Sequence, residues 1–115
     1  MKHELRINNY VLYDNRPFQI ASISEEYPSL KTIEFGFGVV EWKDISPIPI
    51  TEELLVKCGG IKLEHKMFDC YNVNGIQLIL RGGWFEYVHD IHIKSLHQFQ
   101  NFYFFTKQQE LTIEI

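Results

Sequence analysis

Apolar and polar positions alternate in short runs along residues 1–50, and polar or glycine-rich breaks separate the runs. Period-two alternation marks half-buried strands. Strands are predicted at Tyr10–Tyr13, Pro17–Ser24, Lys31–Phe35 and Val39–Lys43. Asp14-Asn15-Arg16 reads as a turn. Pro17 suits only the first position of its strand, because it has no amide hydrogen to donate. Glu25–Ser29 is polar, contains Pro28 and reads as a loop. Gly36 and Gly38 flank Phe37 and suit a tight turn or bulge, and Asp44–Ser46 a short turn. This run of short strands suggests a small SH3-like barrel, whose closure leaves no exposed edge.

The pattern then changes. Pro47-Ile48-Pro49-Ile50 is extended, because each proline disfavours helix in the residue before it. Thr51 is placed to cap a short helix over 51–58, with Glu52 and Glu53 where the helix dipole favours negative charge. Leu54, Leu55 and Cys58 give it an apolar side, and Gly59-Gly60 ends it. Met67–Val73, Ile76–Arg81 and Trp84–Ile93 read as a three-strand antiparallel meander. Asn74-Gly75 is a strong type I′ hairpin signal, and Gly82-Gly83 a second tight turn. One face of the last strand carries Phe85, Tyr87, His89, Ile91 and Ile93. Ser95 can cap a final helix over roughly Leu96–Gln108, with Leu96, Phe99, Phe102, Tyr103 and Thr106 on the face turned to the meander. Leu111–Ile115 alternates and suits a last strand.

The predicted class is therefore α+β, mainly antiparallel β. An SH3-like subdomain over 1–50 precedes a helix–meander–helix subdomain over 51–115, the two sharing one compact unit. A chain of 115 residues with 15% aromatic side chains can bury a core of that size.

Charge narrows the partners. The net charge is −4, split evenly, with five basic and seven acidic residues in 1–50 and six and eight in 51–115. Phosphate-backbone binding needs clustered Lys and Arg, so general DNA binding is not favoured. No long apolar run follows Met1-Lys2-His3, which argues against a signal peptide or a membrane span. Cys58 and Cys70 read as free, buried thiols of a cytoplasmic protein. No Cys-x-x-Cys pair is present.

Three segments resemble a family of small phage, prophage and mobile-element proteins. Glu4-Leu5-Arg6-Ile7-Asn8-Asn9-Tyr10-Val11 is similar to its "ELRIGNYV" opening. Pro47 to Leu55 resembles its "PIPLTEEWLL" signature, and Leu96 to Phe104 its "VHQLQNLYF" signature. The chain departs from that pattern at Leu54, where an aromatic is usual, at Asn8, where Gly is usual, and at Lys107-Gln108, which replaces Thr-Gly. The resemblance implies a setting, an accessory protein that binds a host or defence-system protein. It carries over no catalytic role.

The chemically capable residues do not assemble into a motif. His89-Asp90-Ile91-His92 and His97 are the nearest approach to a metal site. In one strand His89 and His92 point to opposite faces, and metal ligands must converge. No spacing pairs Cys58 or Cys70 with a histidine as a nucleophile. Glu25-Glu26 reads as a solvated loop and Glu52-Glu53 as a helix start. Arg81-Gly82-Gly83-Trp84 matches no phosphate-binding pattern, yet it presents an Arg and an aromatic together. Tyr10, Tyr13, Phe18 and Trp42 form either barrel core or a groove for an extended peptide. On the last helix, the face opposite the apolar one carries His97, Asn101, Phe104 and Gln108, with Gln100 and Phe105 at its margins. Phe104 there is either covered by the chain or kept for a partner.

The expected function is non-catalytic binding of a host protein, most concretely as an anti-defence (anti-CRISPR-type) inhibitor, with no cofactor and no metal. The expected binding residues are His97, Gln100, Asn101, Phe104, Gln108, Arg81 and Trp84. The alternative is a nucleic-acid or nucleotide-binding module built on the barrel and the Arg81–Trp84 turn.

Overall fold

The computed structural model describes residues 4–23, 28–32, 36–64, 67–87 and 91–114. The chain is α+β with antiparallel strands, and it divides into two units, Met1–Ile48 and Pro49–Ile115.

The first unit holds β1 (Tyr10–Tyr13), β2 (Arg16–Ile23), β3 (Pro28–Thr32), β4 (Gly36–Val39) and β5 (Ile45–Ser46). They form one sheet in the order β4-β3-β2-β1-β5. Asp14 and Asn15 both take positive φ, 52° and 58°, the geometry of the two-residue turn that matches strand twist. Tyr13 therefore pairs with Arg16 and Val11 with Phe18. Alternation puts Val11 and Tyr13 on one face, where Val11, Ile20, Ile45 and Leu5 form a buried cluster with Tyr13, Phe18, Val40 and Trp42 packed around it. Ahead of β1, the fully buried Asn9 holds a turn: its Oδ1 accepts the Arg6 N–H at 2.7 Å. Asn8 sits beside it at φ 78°, a conformation that Gly takes freely and Asn tolerates.

Among the described residues the sheet stays open, without the closure of the predicted SH3-like barrel. Closure requires β4 to reach β5, and these are the two opposite edges. A 3₁₀ turn over Trp42–Asp44 lies between them, and β5 offers only two residues for pairing. Three local predictions change with it. Val39–Lys43 is not a strand, Asp44–Ser46 is not a plain turn, and Gly36 and Gly38 lie within β4, paired with Thr32 and Leu30. Pro28 and Ser29, expected in a loop, belong to β3. Residues 24–27 and 33–35, which end two of the predicted strands, lie outside the described residues.

The second unit opens with Pro49 bridged to Ser95, and the Ile50 N–H donates to the Lys94 carbonyl at 3.1 Å. The boundary thus falls just before the predicted one. Helix α1 (Glu52–Lys57) is capped by Thr51, whose Oγ1 accepts the Leu54 N–H at 3.1 Å. Gly60 follows closely packed: a Cβ there would meet the Leu55 carbonyl oxygen at 2.5 Å.

A five-stranded antiparallel sheet comes next: β6 (Ile61–Leu63), β7 (Cys70–Val73), β8 (Ile76–Leu80), β9 (Phe85–Tyr87) and β10 (Ile91–Ile93), ordered as numbered from one edge to the other. The predicted meander thus gains a strand at each end. β6 is new, and the expected third strand is two strands, with Ile91 paired back onto Tyr87. His89 and Asp90 lie outside the described residues. Asn74 and Gly75 take φ 49° and 93°, as the hairpin requires.

Helix α2 (Leu96–Lys107) begins with a full capping box between Ser95 and Gln98. It buries Leu96, His97, Phe99, Gln100 and Tyr103, while Phe102 is half-buried and Thr106 exposed. The buried face is thus rotated toward His97 from the predicted one. It ends at Gln108 in the left-handed conformation, φ 58° and ψ 31°. Leu111–Glu114 forms no strand. Leu111 is buried, and the Glu114 N–H donates to the Lys57 carbonyl.

Candidate functional site

Side-chain alternation gives the second sheet two unlike faces. One carries Tyr71, Val73, Ile76, Leu78, Phe85 and Ile93, all buried. Helix α2 packs on that side, with the Phe102 ring 4.7 Å from Tyr87 and the Tyr103 hydroxyl accepting from Asn74 Nδ2 at 2.7 Å.

The other face carries a row that crosses every strand of the sheet. Leu63 pairs with Cys70, Cys70 with Ile79, Ile79 with Glu86, and Glu86 with His92. Leu63, Ile79 and Glu86 are half-buried, and His92 is exposed. Arg81 reaches over the row: its Nη2 lies 3.6 Å from Glu86 Oε1, and its guanidinium sits 5.0 Å from the centre of the Phe68 ring. The turn that follows is closed by the Arg81 N–H donating to the Trp84 carbonyl at 2.9 Å. It sets the half-buried Trp84 ring 4.2 Å from the His92 ring, tilted by 39°. At the β6 end a cavity of about 400 Å³ is lined by Lys62, Leu63, Glu64, Phe68 and Asp69.

The chemistry of this face is aromatic and aliphatic, with its charges answered in place. Arg81 pairs with Glu86 at 3.6 Å, and at the β6 edge Lys62 pairs with Asp69 at 3.4 Å. A phosphate would have to compete with Glu86 for Arg81. An apolar or aromatic side chain of a partner would meet Ile79, Phe68 and the Trp84–His92 stack directly.

The structure separates the predicted binding residues. Arg81 and Trp84 belong to this outer face. His97 and Gln100 belong to α2 across the sheet, and they are 1% and 2% exposed. Those two predicted binding side chains are packed and are not available at the surface. Asn101 and Phe104 are half-buried, and Gln108 is exposed at the helix end. Sequence reading missed Leu63, Phe68, Ile79 and Glu86, and weighed His92 only as a metal ligand. Ile79 did carry a signal, an apolar side chain at an outward position between Gln77 and Arg81.

The remaining candidates have structural partners. Among the described residues no three His, Cys, Asp or Glu side chains cluster as metal ligands. His97 Nδ1 lies 3.2 Å from Ser95 Oγ. Glu52 accepts from the Tyr71 hydroxyl, and Glu53 pairs with Lys57 at 3.9 Å. Both cysteines are free and buried, and burial pushes the Cys58 thiol up to about 12, which leaves it protonated at neutral pH. Tyr13 and Phe18 meet edge to face at 5.7 Å beside Trp42. Tyr10 lies on the opposite face of β1, so the four aromatics do not line one groove. Burial also raises the Tyr10 hydroxyl above its ordinary value.

No helix is long and apolar enough to cross a membrane among the described residues. No family model matches the chain, and neither a curated protein nor a solved structure matches it.

Proposed function

We propose that the protein is a non-catalytic accessory protein of a phage or mobile element that acts by binding a host protein through the outer face of its second sheet. Inhibition of a host defence system is the most concrete form of that action. One observation carries the choice of surface: the cross-strand row from Leu63 to His92, with Trp84 stacked at one end and Phe68 under Arg81 at the other. Protein interfaces concentrate their energy in Trp, Tyr and Arg set among apolar neighbours, and Trp84 and Arg81 flank the row beside Ile79 and Phe68. The phage setting rests on the resemblance of the opening, the Pro47–Leu55 segment and the Leu96–Phe104 segment.

The test is affinity purification from the host with three baits: wild type, Ile79→Glu and Trp84→Ala. A stoichiometric partner retained by wild type and lost by both folded variants supports the proposal. No stoichiometric partner, or one held equally by all three, refutes it. Titration of single-stranded and duplex oligonucleotides at low salt reads the alternative, since nucleic-acid binding there falls steeply with added salt.

A further inference from the structure

Arg81 is held in place over the outer face of the second sheet, and its hydrogen-bonding capacity is not used up there. Its guanidinium sits 5.0 Å from the centre of the Phe68 ring, and its Nη2 lies 3.6 Å from Glu86 Oε1. The aromatic ring attracts the flat guanidinium and limits where it can go. The Glu86 carboxylate answers its charge, but 3.6 Å is too long for a hydrogen bond. The Arg81 side chain keeps 36% of its surface open, against 21% for that of Glu86. A planar, pre-positioned set of N–H donors is therefore open to a ligand. The register sets apolar groups around it. Glu86 pairs with Ile79 on one side and with His92 on the other, and the Trp84 ring stacks 4.2 Å from His92.

Such donors fit both oxygens of a carboxylate, or a phosphate. The charges nearby decide between them. Glu86 stays beside Arg81 and repels an incoming anion in proportion to its charge, so a phosphate monoester meets up to about twice the repulsion met by a carboxylate. A nucleic-acid strand brings a series of charges and needs clustered basic side chains, while Lys62 is turned to Asp69 at 3.4 Å. One carboxylate needs one guanidinium.

We propose that the partner segment recognised here carries an Asp or Glu beside an aromatic or aliphatic residue. Arg81 bonds the carboxylate, and the apolar side chain lies on Ile79 and Trp84. This rests on the outer face being the binding surface.

Panning a display library of random peptides on the full-length protein tests it. Trp84→Ala and Ile79→Ala, checked for folding by circular dichroism, mark the peptides that use the outer face. Those peptides should be enriched in Asp or Glu next to an apolar residue. Arg81→Gln should weaken an enriched peptide roughly tenfold or more. Replacing the peptide's acid by its amide should weaken binding to wild type equally and binding to Arg81→Gln no further, a coupling that a merely structural role of Arg81 does not produce. That substitution needs no variant protein, so it stays decisive where Arg81→Gln is unstable. Glu86→Gln removes the competing carboxylate and should tighten binding severalfold; weaker binding there would assign the contact to Glu86 and overturn the proposal. Outer-face peptides with no acidic enrichment, or held equally by Arg81→Gln, overturn it and leave the outer-face reading standing. A library with no peptide sensitive to Trp84→Ala or Ile79→Ala removes the outer-face reading, and the carboxylate site with it. Displacement of the peptide by a single-stranded oligonucleotide at low salt would give Arg81 to phosphate and also overturn the proposal.

Discussion

The Tyr71 hydroxyl donates to Glu52 Oε2 at 2.5 Å and so ties the middle of β7 to the first turn of α1. Tyr71 is 3% exposed, and its ring also meets Phe85 edge to face at 6.1 Å. The bond to Glu52, then burial, then the negative charges of Glu52 and Asp69 push the phenol up to about 12. A hydrogen bond to a charged acceptor contributes about 1.5–3 kcal/mol, so Tyr71→Phe should destabilise by that amount in a urea titration. An unchanged midpoint would mean that the bond contributes nothing.

The same contact sets an alkaline limit. Below the ordinary tyrosine value of 10.0 the phenol is neutral in both the folded and unfolded chains, and the contact is fully present. As pH rises from there toward 12, the unfolded phenol ionises first, so folding stability falls. Tyr71→Phe should flatten that fall. Urea midpoints of both proteins across this range, falling with equal slopes, would assign the alkaline loss to other groups.

Gln108 closes α2 in the left-handed conformation with φ 58°, its N–H bonded to the Phe104 carbonyl at 2.8 Å. A residue with a Cβ is strained there, and Gly is not. Gln108→Gly should stabilise the protein by about 0.5–1 kcal/mol despite the greater freedom of Gly when unfolded. A lower melting temperature would show that the Gln108 side chain, whose Nε2 donates to the Phe105 carbonyl at 3.1 Å, outweighs the strain.

The Asn74-Gly75 turn is braced by Asn72, whose Oδ1 accepts the Gly75 N–H at 2.8 Å. With Gly75 at φ 93°, a β-branched residue is forced off its allowed backbone. Gly75→Val should therefore cost about 1–3 kcal/mol, and equal melting of variant and wild type would contradict the turn.

Phe104 and Phe105 are adjacent, with rings 6.1 Å apart, but differ in burial. Phe105 is 71% exposed and Phe104 half-buried. Phe105→Ala should change stability by no more than about 0.5 kcal/mol. Phe104→Ala should cost about 1–3 kcal/mol, less than the removal of a fully buried Phe. The reverse ranking would restore Phe104 as an open anchor on the helix surface.

What the sequence by itself determined is local. The two helices and their caps follow from Thr51 and Ser95, because a hydroxyl one residue before an apolar run satisfies amides within a single turn. The hairpins at Asp14-Asn15 and Asn74-Gly75 follow from residues that tolerate positive φ. The strands β1, β2, β7 and β8 follow from alternation.

What the tertiary structure decided is non-local. Whether the first sheet closes depends on which strands meet across it, and alternation says nothing of partners; the same pattern serves an open sheet and a barrel. Ile61–Leu63 is too short to register as a strand until β7 pairs with it. His97 and Gln100 read as polar helix positions, yet tertiary packing buries both. The candidate site has the same origin. Leu63, Cys70, Ile79, Glu86 and His92 come from five separate strands, and only the register of the sheet sets them in one row.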